Sequence, residues 1–339
     1  MSLSPDNKKY NPSIDLLRIL ATISVIIIHV TTKILEISGN NLLGFPFAMF
    51  FNQAFRFAVP LFFFISAFVL ELNYPQKFNY FNYLKKRFTR LFIPYLLWSI
   101  VYYFVIYPNH QQSFFFALFL GDSSYQLYFI PTLFIFYLFF PLLHRYVKFF
   151  SSRFIIILFT LLQIIFLSID YYFRPLSLPY PLAVFFLNFA IFVYGAIASQ
   201  NQILIKKITQ KYKYVFLTLS LLFSFLIFWQ GTSTYLQTGN YLSYYSQWRP
   251  SIFFYTIIVT SLLFYIFSRL DFNPNFIKKI ASYSFFVYFV HVIFIEASFK
   301  YLPPSLLSYF IFPLAATTIL SYLSAYIVSK LPRISKFLG

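Results

Sequence analysis

Cysteine is absent from the 339 residues, which excludes disulfides, thiolate-bound metal and a cysteine acyl-enzyme, so any nucleophile must come from His, Ser, Thr, Tyr or a carboxylate. Carboxylates are few, with 8 Asp and Glu against 26 Lys and Arg. Glycine occurs only 7 times, sparse for the interrupted helix pairs that build transporter substrate sites. Charged residues make up 10% of the chain, far below the roughly 25% of a soluble domain. What remains is apolar: 60% of residues are hydrophobic and mean hydropathy is +0.72. Phe at 52 and Tyr at 30 are extreme. Lipid-facing packing favours such usage, and an AT-rich genome encodes the same excess of Phe, Tyr, Ile, Lys and Asn.

Apolar stretches long enough to cross a bilayer, about 17 to 25 residues each, recur along the whole length. They fall at 13–31, 46–72, 88–107, 127–143, 154–169, 181–199, 214–230, 250–268, 282–299 and 306–329. The pattern predicts an all-α integral membrane protein of about ten transmembrane helices, a single domain over 1–339 with its membrane core at 13–329. The first stretch carries Asp15, Arg18 and His29 and lacks a small-residue cleavage site, so it is expected to stay as a helix. No internal repeat and no appended soluble domain is expected.

A net charge of +18 raises the question of nucleic acid, and the placement of the charges answers it. With the N-terminus cytoplasmic, the inner segments hold Lys8 and Lys9; Lys77, Lys85, Lys86, Arg87 and Arg90; Arg145, Lys148 and Arg153. They continue with Lys206, Lys207, Lys211 and Lys213; Arg269, Lys278 and Lys279; and Lys330, Arg333 and Lys336. The outer loops hold Lys33, Arg174, Arg249 and Lys300, while Arg18 and Arg56 lie inside helices. This asymmetry predicts an even helix count and both termini cytoplasmic in a multi-pass protein of a cell membrane, for which a bacterial plasma membrane is the expected location. It accounts for the basicity with no nucleic-acid partner; the expected partner is the lipid bilayer.

Two outer segments have content of their own. Residues 108–126 contain an aromatic run too short to span, which reads as an interfacial or re-entrant piece. Residues 231–249 are polar, Tyr-rich and uncharged up to Arg249, an expected outer loop whose rings suit the membrane interface or the faces of sugars.

An ionisable side chain inside a span costs about 2.5 to 3.5 kcal/mol on insertion scales and marks a partner, a water-filled cavity or a functional site. The candidates are Asp15, Arg18, His29, Arg56, His291 and Glu296. Arg18 and His29 are eleven residues apart, so a helix places them on one face about 16.5 Å apart along its axis. Both then look into one interior space. Asp15 stands three residues before Arg18, a spacing that allows an ion pair; a purely structural Asp–Arg clasp is the competing reading. Arg56 sits too deep to snorkel easily, with Asn52, Gln53 and Ser66 near it and Pro60 one turn on, which suggests a kinked helix lining a cavity. His291 falls near mid-bilayer, where it can exchange protons or serve with a single structural bond. The cluster KKRFTRLFIPY offers Arg87 and Arg90 to a polyphosphate, and equally to anionic headgroups.

These pieces, in this order, resemble the membrane acyltransferase family 3, polytopic enzymes that O-acylate surface polysaccharides, peptidoglycan and related acceptors. Arg18 and His29, preceded by IDLL, match its Arg-x10-His signature. RFAVPLFFFISAFVL is similar to its second helix, with Ala67 where Gly is usual. KKRFTRLFIPYLLWS is similar to its basic approach to the third helix, and LYFIPTLFIFYLFFPLL to its fourth, with Tyr128 where Trp is common. YSFFVYFVHVIFI is similar to the helix with a late histidine. The resemblance runs from about residue 13 to 329.

The resemblance implies transfer of an acyl group, acetyl foremost, from cytoplasmic acyl-CoA to a hydroxyl of a cell-envelope glycan or lipid-linked sugar, with no metal. On this reading Arg18, Arg87 and Arg90 hold the donor. His29 is a general base or transient acyl carrier, Arg56 steadies the oxyanion, and His291 orients the acceptor or relays a proton. The rival reading is a polysaccharide exporter without covalent chemistry, against which stand the scarce glycine and the lack of a repeat.

Overall fold

The computed structural model describes residues 10–38, 46–74, 78–109, 111–173, 178–239, 248–301, 310–331, 335, 337 and 338. Within them every regular element is helical. Lys8, Lys9, Lys77, Arg174, Arg333 and Lys336, used above for orientation, lie outside the described residues.

Hydrocarbon offers the backbone no hydrogen-bond partner, so each apolar stretch must satisfy its own amides as a helix. The first does so as α1 (Pro12–Ser38). The second divides into α2 (Pro46–Ala54) and α3 (Ala58–Asn73) around a break at 55–57. Pro60 has no N–H to give to the carbonyl of Arg56, so the ladder opens there. The next helix, α4 (Tyr80–Val101), starts on Asn79, whose side chain accepts from the Asn82 amide at 2.9 Å, and ends in a π-helical turn at Tyr102–Ile106. Then come α5 (Phe114–Leu120), α6 (Phe129–Arg145), α7 (Val147–Phe150), α8 (Arg153–Phe173), α9 (Tyr180–Leu187) and α10 (Phe189–Gln200). The chain continues through α11 (Gln202–Lys211), α12 (Lys213–Thr238), α13 (Pro250–Phe267), α14 (Pro274–Tyr301) and α15 (Phe312–Ser329).

By length and composition, eight units can cross a bilayer: α1, α2 with α3, α4 with its π turn, α8, α12, α13, α14 and α15. A ninth forms if α9 and α10, bent by 49° at Asn188, count as one span. The remaining expected span is α6, apolar but only 17 residues, about 26 Å at 1.5 Å per residue. Over their described residues all ten expected segments are therefore largely helical, and the chain is an all-α, multi-pass membrane protein.

The first helix stands in the middle, packed against α2, α3, α13, α14 and α15, while α8 and α12 stand outside, with 11% and 17% of their apolar windows buried. Central position exposes α1 to protein on most sides, so its polar side chains can meet partners rather than lipid. Hydroxyls along it bond back to the preceding turn, Thr22 to the Arg18 carbonyl and Ser24 to the Leu20 carbonyl.

One expected outer loop is shorter than its polarity predicts. Helix α12 continues through residues 231–238, where Thr232, Thr234 and Thr238 each bond the carbonyl four residues back. Polarity without charge or proline does not break a helix whose hydroxyls can bond its own backbone. The helix ends on Gly239, whose φ of 63° allows its amide to reach the Tyr235 carbonyl at 2.8 Å. Residues 240–247 of that expected loop lie outside the described residues.

Where α3 crosses α10, Gly195 sits so close that a Cβ there would lie 2.2 Å from the Phe64 carbonyl oxygen. Backbone atoms cannot yield as a side-chain tip can, so Gly195→Ala must force the helices apart. We expect a loss of about 1–3 kcal/mol of stability, read as a lower unfolding midpoint in detergent. An unchanged midpoint would contradict this crossing.

Candidate active site

A cavity of about 840 Å3 runs through the protein, and Arg18, His29, Arg56, Arg87 and Arg90 all line it. Their positions follow from helix geometry. Arg18 and His29 share one face of α1; Arg56 occupies the break between α2 and α3; Arg87 and Arg90 are one turn apart in the first part of α4. His291 is not on the cavity wall but directly behind His29. It is 1% exposed, and the two imidazole centroids are 5.3 Å apart at an interplanar angle of 31°.

The tautomer of His291 can be read from its neighbour. Its Nδ1 lies 3.1 Å from the Val287 carbonyl, which can only accept, so Nδ1 carries the proton. Nε2 is then a lone-pair nitrogen, buried and without a hydrogen-bond partner among the described residues. On its other side His29 meets Tyr125, centroids 4.8 Å apart at 52°. His29 itself is only half-buried, its remaining surface facing the cavity.

Arg56 is held to α1 through an intermediary. Its Nη2 donates to Asn52 Oδ1, and Asn52 Nδ2 donates to the Ile28 carbonyl (3.2 Å), Thr31 Oγ1 (3.1 Å) and Thr32 Oγ1 (2.9 Å). The Ile28 carbonyl belongs to the residue before His29, so the clasp fixes the cation relative to the imidazole. Arg249 extends the cluster. Placed by charge counting in an outer loop, it is 1% exposed, and its Nη1 donates to Gln53 Oε1 and the Ile227 carbonyl, both at 3.2 Å. Arginine at a helix start next to Pro250 reads as a loop residue; only the packing of α2 and α12 around it makes it a buried one.

At the other end of the cavity, Arg18 Nη1 pairs with Asp15 Oδ1 at 2.7 Å, the pairing that their spacing allows. Arg87 donates to the Tyr74 hydroxyl at 3.1 Å and lies over the rings of Tyr74, Tyr83 and Tyr137, 5.2 to 5.9 Å from their centroids. Lys278 of α14 joins them on the wall, although the sequence reading used it only for orientation. Tyr10 closes this end, its hydroxyl donating to the Pro274 carbonyl at 3.0 Å. Partial burial, then the neighbouring Asp15 charge, pushes its phenol up to about 12, so it remains a neutral donor.

Glu296 takes no place at the imidazoles. It accepts from Lys33 Nζ at 2.9 and 3.1 Å and from the Tyr107 hydroxyl at 3.1 Å, joining α1, the end of α4 and α14. A second carboxylate escaped the sequence reading: buried Glu71 meets His144 Nδ1 at 2.7 Å and accepts from Gln200 Nε2 at 2.7 Å. Its place near the end of an apolar run was the available signal. Tyr125 was hidden more deeply. The segment after α5 turns back at Gly121, φ 73°, where a Cβ would lie 2.5 Å from the Tyr128 Cα, and this fold-back brings Tyr125 and Gln126 to the cavity wall. The re-entrant reading of 108–126 anticipates such a path, but no residue pattern says which side chain reaches the histidine.

Membrane helices that enclose a cavity lined by His29 and several cations, with His291 packed behind His29, define a polytopic membrane protein with an internal polar site. The comparisons make the class specific. A family model described as an acyltransferase domain matches residues 11–326, and the chain belongs to that family: it is a membrane acyltransferase, transferring groups other than aminoacyl. It is similar to a Bacillus subtilis (strain 168) protein named "Putative membrane-bound acyltransferase YfiQ", 24% identical over 300 residues that cover 82% of this chain and 79% of that one. No solved structure matches it significantly.

Because Gly121 has both a positive φ and a backbone neighbour, Gly121→Ala should displace the turn and withdraw Tyr125 from His29. Transfer activity should fall by roughly tenfold or more, the order of loss that misplacing a catalytic group brings. Full activity in a normally folded variant would show that Tyr125 has no part in the site.

Proposed function

We propose that the protein carries an acyl group, acetyl foremost, from cytoplasmic acyl-CoA to a hydroxyl of a cell-envelope glycan or lipid-linked sugar at a bacterial plasma membrane. The observation that carries this reading is the single cavity that joins the Arg18, Arg87, Arg90 and Lys278 end to His29 and Arg56. Cations suit the phosphates of a coenzyme, and the roughly 16.5 Å along α1 suits an extended pantetheine arm.

In the reaction, His29 removes the proton of the acceptor hydroxyl as its oxygen attacks the thioester carbonyl carbon. Arg56 faces the oxyanion that forms; its guanidinium carries five N–H donors, so it can hold Asn52 and the developing charge together. Collapse of the tetrahedral intermediate breaks the C–S bond, and the proton passes from His29 to the departing thiolate. His291, its Nδ1–H committed to Val287, packs behind His29 with Nε2 free to accept a proton, so it relays a proton or orients the acceptor through His29. Cytoplasmic placement of both termini follows from the positive residues and places the cationic end of the cavity on the donor side.

Two experiments test the reading. His29→Ala should lower transfer by about 10²–10⁴-fold without loss of insertion or folding, the range for removing a general base. Envelope glycan that stays normally acylated in that strain would reject the mechanism. For orientation, the cysteine-free chain accepts single probes: Gln111→Cys should react with an impermeant maleimide in intact cells and Lys207→Cys only after permeabilisation. The reverse pattern would invert the donor side.

A further inference from the structure

The four cations at the donor end of the cavity are not equivalent, and their partners sort them. Arg18 is neutralised by Asp15 at 2.7 Å. Arg87 donates to the Tyr74 hydroxyl and lies among three tyrosine rings, which hold its guanidinium in the cavity wall. Arg90 and Lys278 differ: both are exposed, both line the cavity, and neither has a hydrogen bond or ion pair among the described residues. They project from α4 and α14, different helices facing one space.

We infer that Arg90 and Lys278 form a two-sided clamp for a polyphosphate, while Arg18 and Arg87, each held by its own partner, line the wall of the same cavity; the inference rests on the donor assigned above. Lys278 lies 5.6 Å from the centre of the Tyr10 ring, so an aromatic face holds the ammonium at the mouth; the Asp15 carboxylate is near enough to attract it but is paired with Arg18 at 2.7 Å and makes no ion pair with Lys278. Neither Arg90 nor Lys278 is closed off by an ion pair, so both can turn their donors to an incoming anion, whereas Arg18 shares its charge with Asp15. The chemistry recognised is that of diphosphate or phosphomonoester oxygens, which a nucleotide-bearing coenzyme and an anionic lipid headgroup both present.

The test is direct binding to the full chain in phosphatidylcholine nanodiscs, with coenzyme A and pantetheine as probes, repeated with phosphatidylglycerol added. Arg90→Ala and Lys278→Ala should each weaken coenzyme A about tenfold and leave pantetheine unchanged, and Lys278→Arg should restore most of the affinity. Parallel loss of both probes would mean a structural role and overturn the clamp, as would unaltered coenzyme A binding in Lys278→Ala. A loss seen only with phosphatidylglycerol present would make the headgroup the ligand and overturn it too. If the unaltered protein binds pantetheine but gains nothing from the phosphates, the clamp fails while a thioester donor stands. If it binds neither, the donor assignment itself fails.

Discussion

The structure depends on one constraint: polar groups within the hydrocarbon layer must be met by protein or by enclosed water, because lipid offers them nothing. The first helix meets it by standing in the centre. Its Arg18, His29 and Thr31 are surrounded by other helices, and the Asn52 amide reaches over to bind the Ile28 carbonyl and two threonine hydroxyls. Arg56, donating to the same asparagine, is thereby fixed to the turn that bears the histidine. Loosening this contact would take the Asn52 acceptor from a deep cation and move the imidazole at the same time.

Site construction elsewhere uses defects in regular structure. The carbonyl of Arg56 is released by Pro60, the ladder breaks at 55–57, and the cation sits in the gap. The turn at Gly121 folds the segment after α5 back onto its own backbone, which is how Tyr125 arrives beside His29. A tight glycine crossing at Gly195 seats α10 against α3, the helix that continues from Arg56. With only 7 glycines in the chain, the two near the site are placed where no Cβ fits.

Fixed electrostatic contacts fall outside the imidazole region. Lys33 with Glu296 ties α1 to α14 on one side, and Glu71 with His144 and Gln200 ties α3 to α6 and α10 on the other. Such pairs hold the walls. Around His29 the neighbours are instead an aromatic ring and a second imidazole, groups that confine it by packing.

What the sequence by itself determined was everything that depends on solvent and on local period. Apolar run length specified helices and a membrane, and the eleven-residue interval put Arg18 and His29 on one face, because helical repeat is a property of the backbone alone. Tertiary structure decided which groups those two would meet. His291, Tyr125 and Lys278 lie far from His29 in the chain; packing of α14 sets His291 behind His29 and Lys278 on the cavity wall, a fold-back at Gly121 brings Tyr125 there, and Arg249 became a buried cation because α2 and α12 close over it. Residue spacing carries no information about such meetings, since they are set by how whole helices cross, and a single chain read from end to end does not record its crossings.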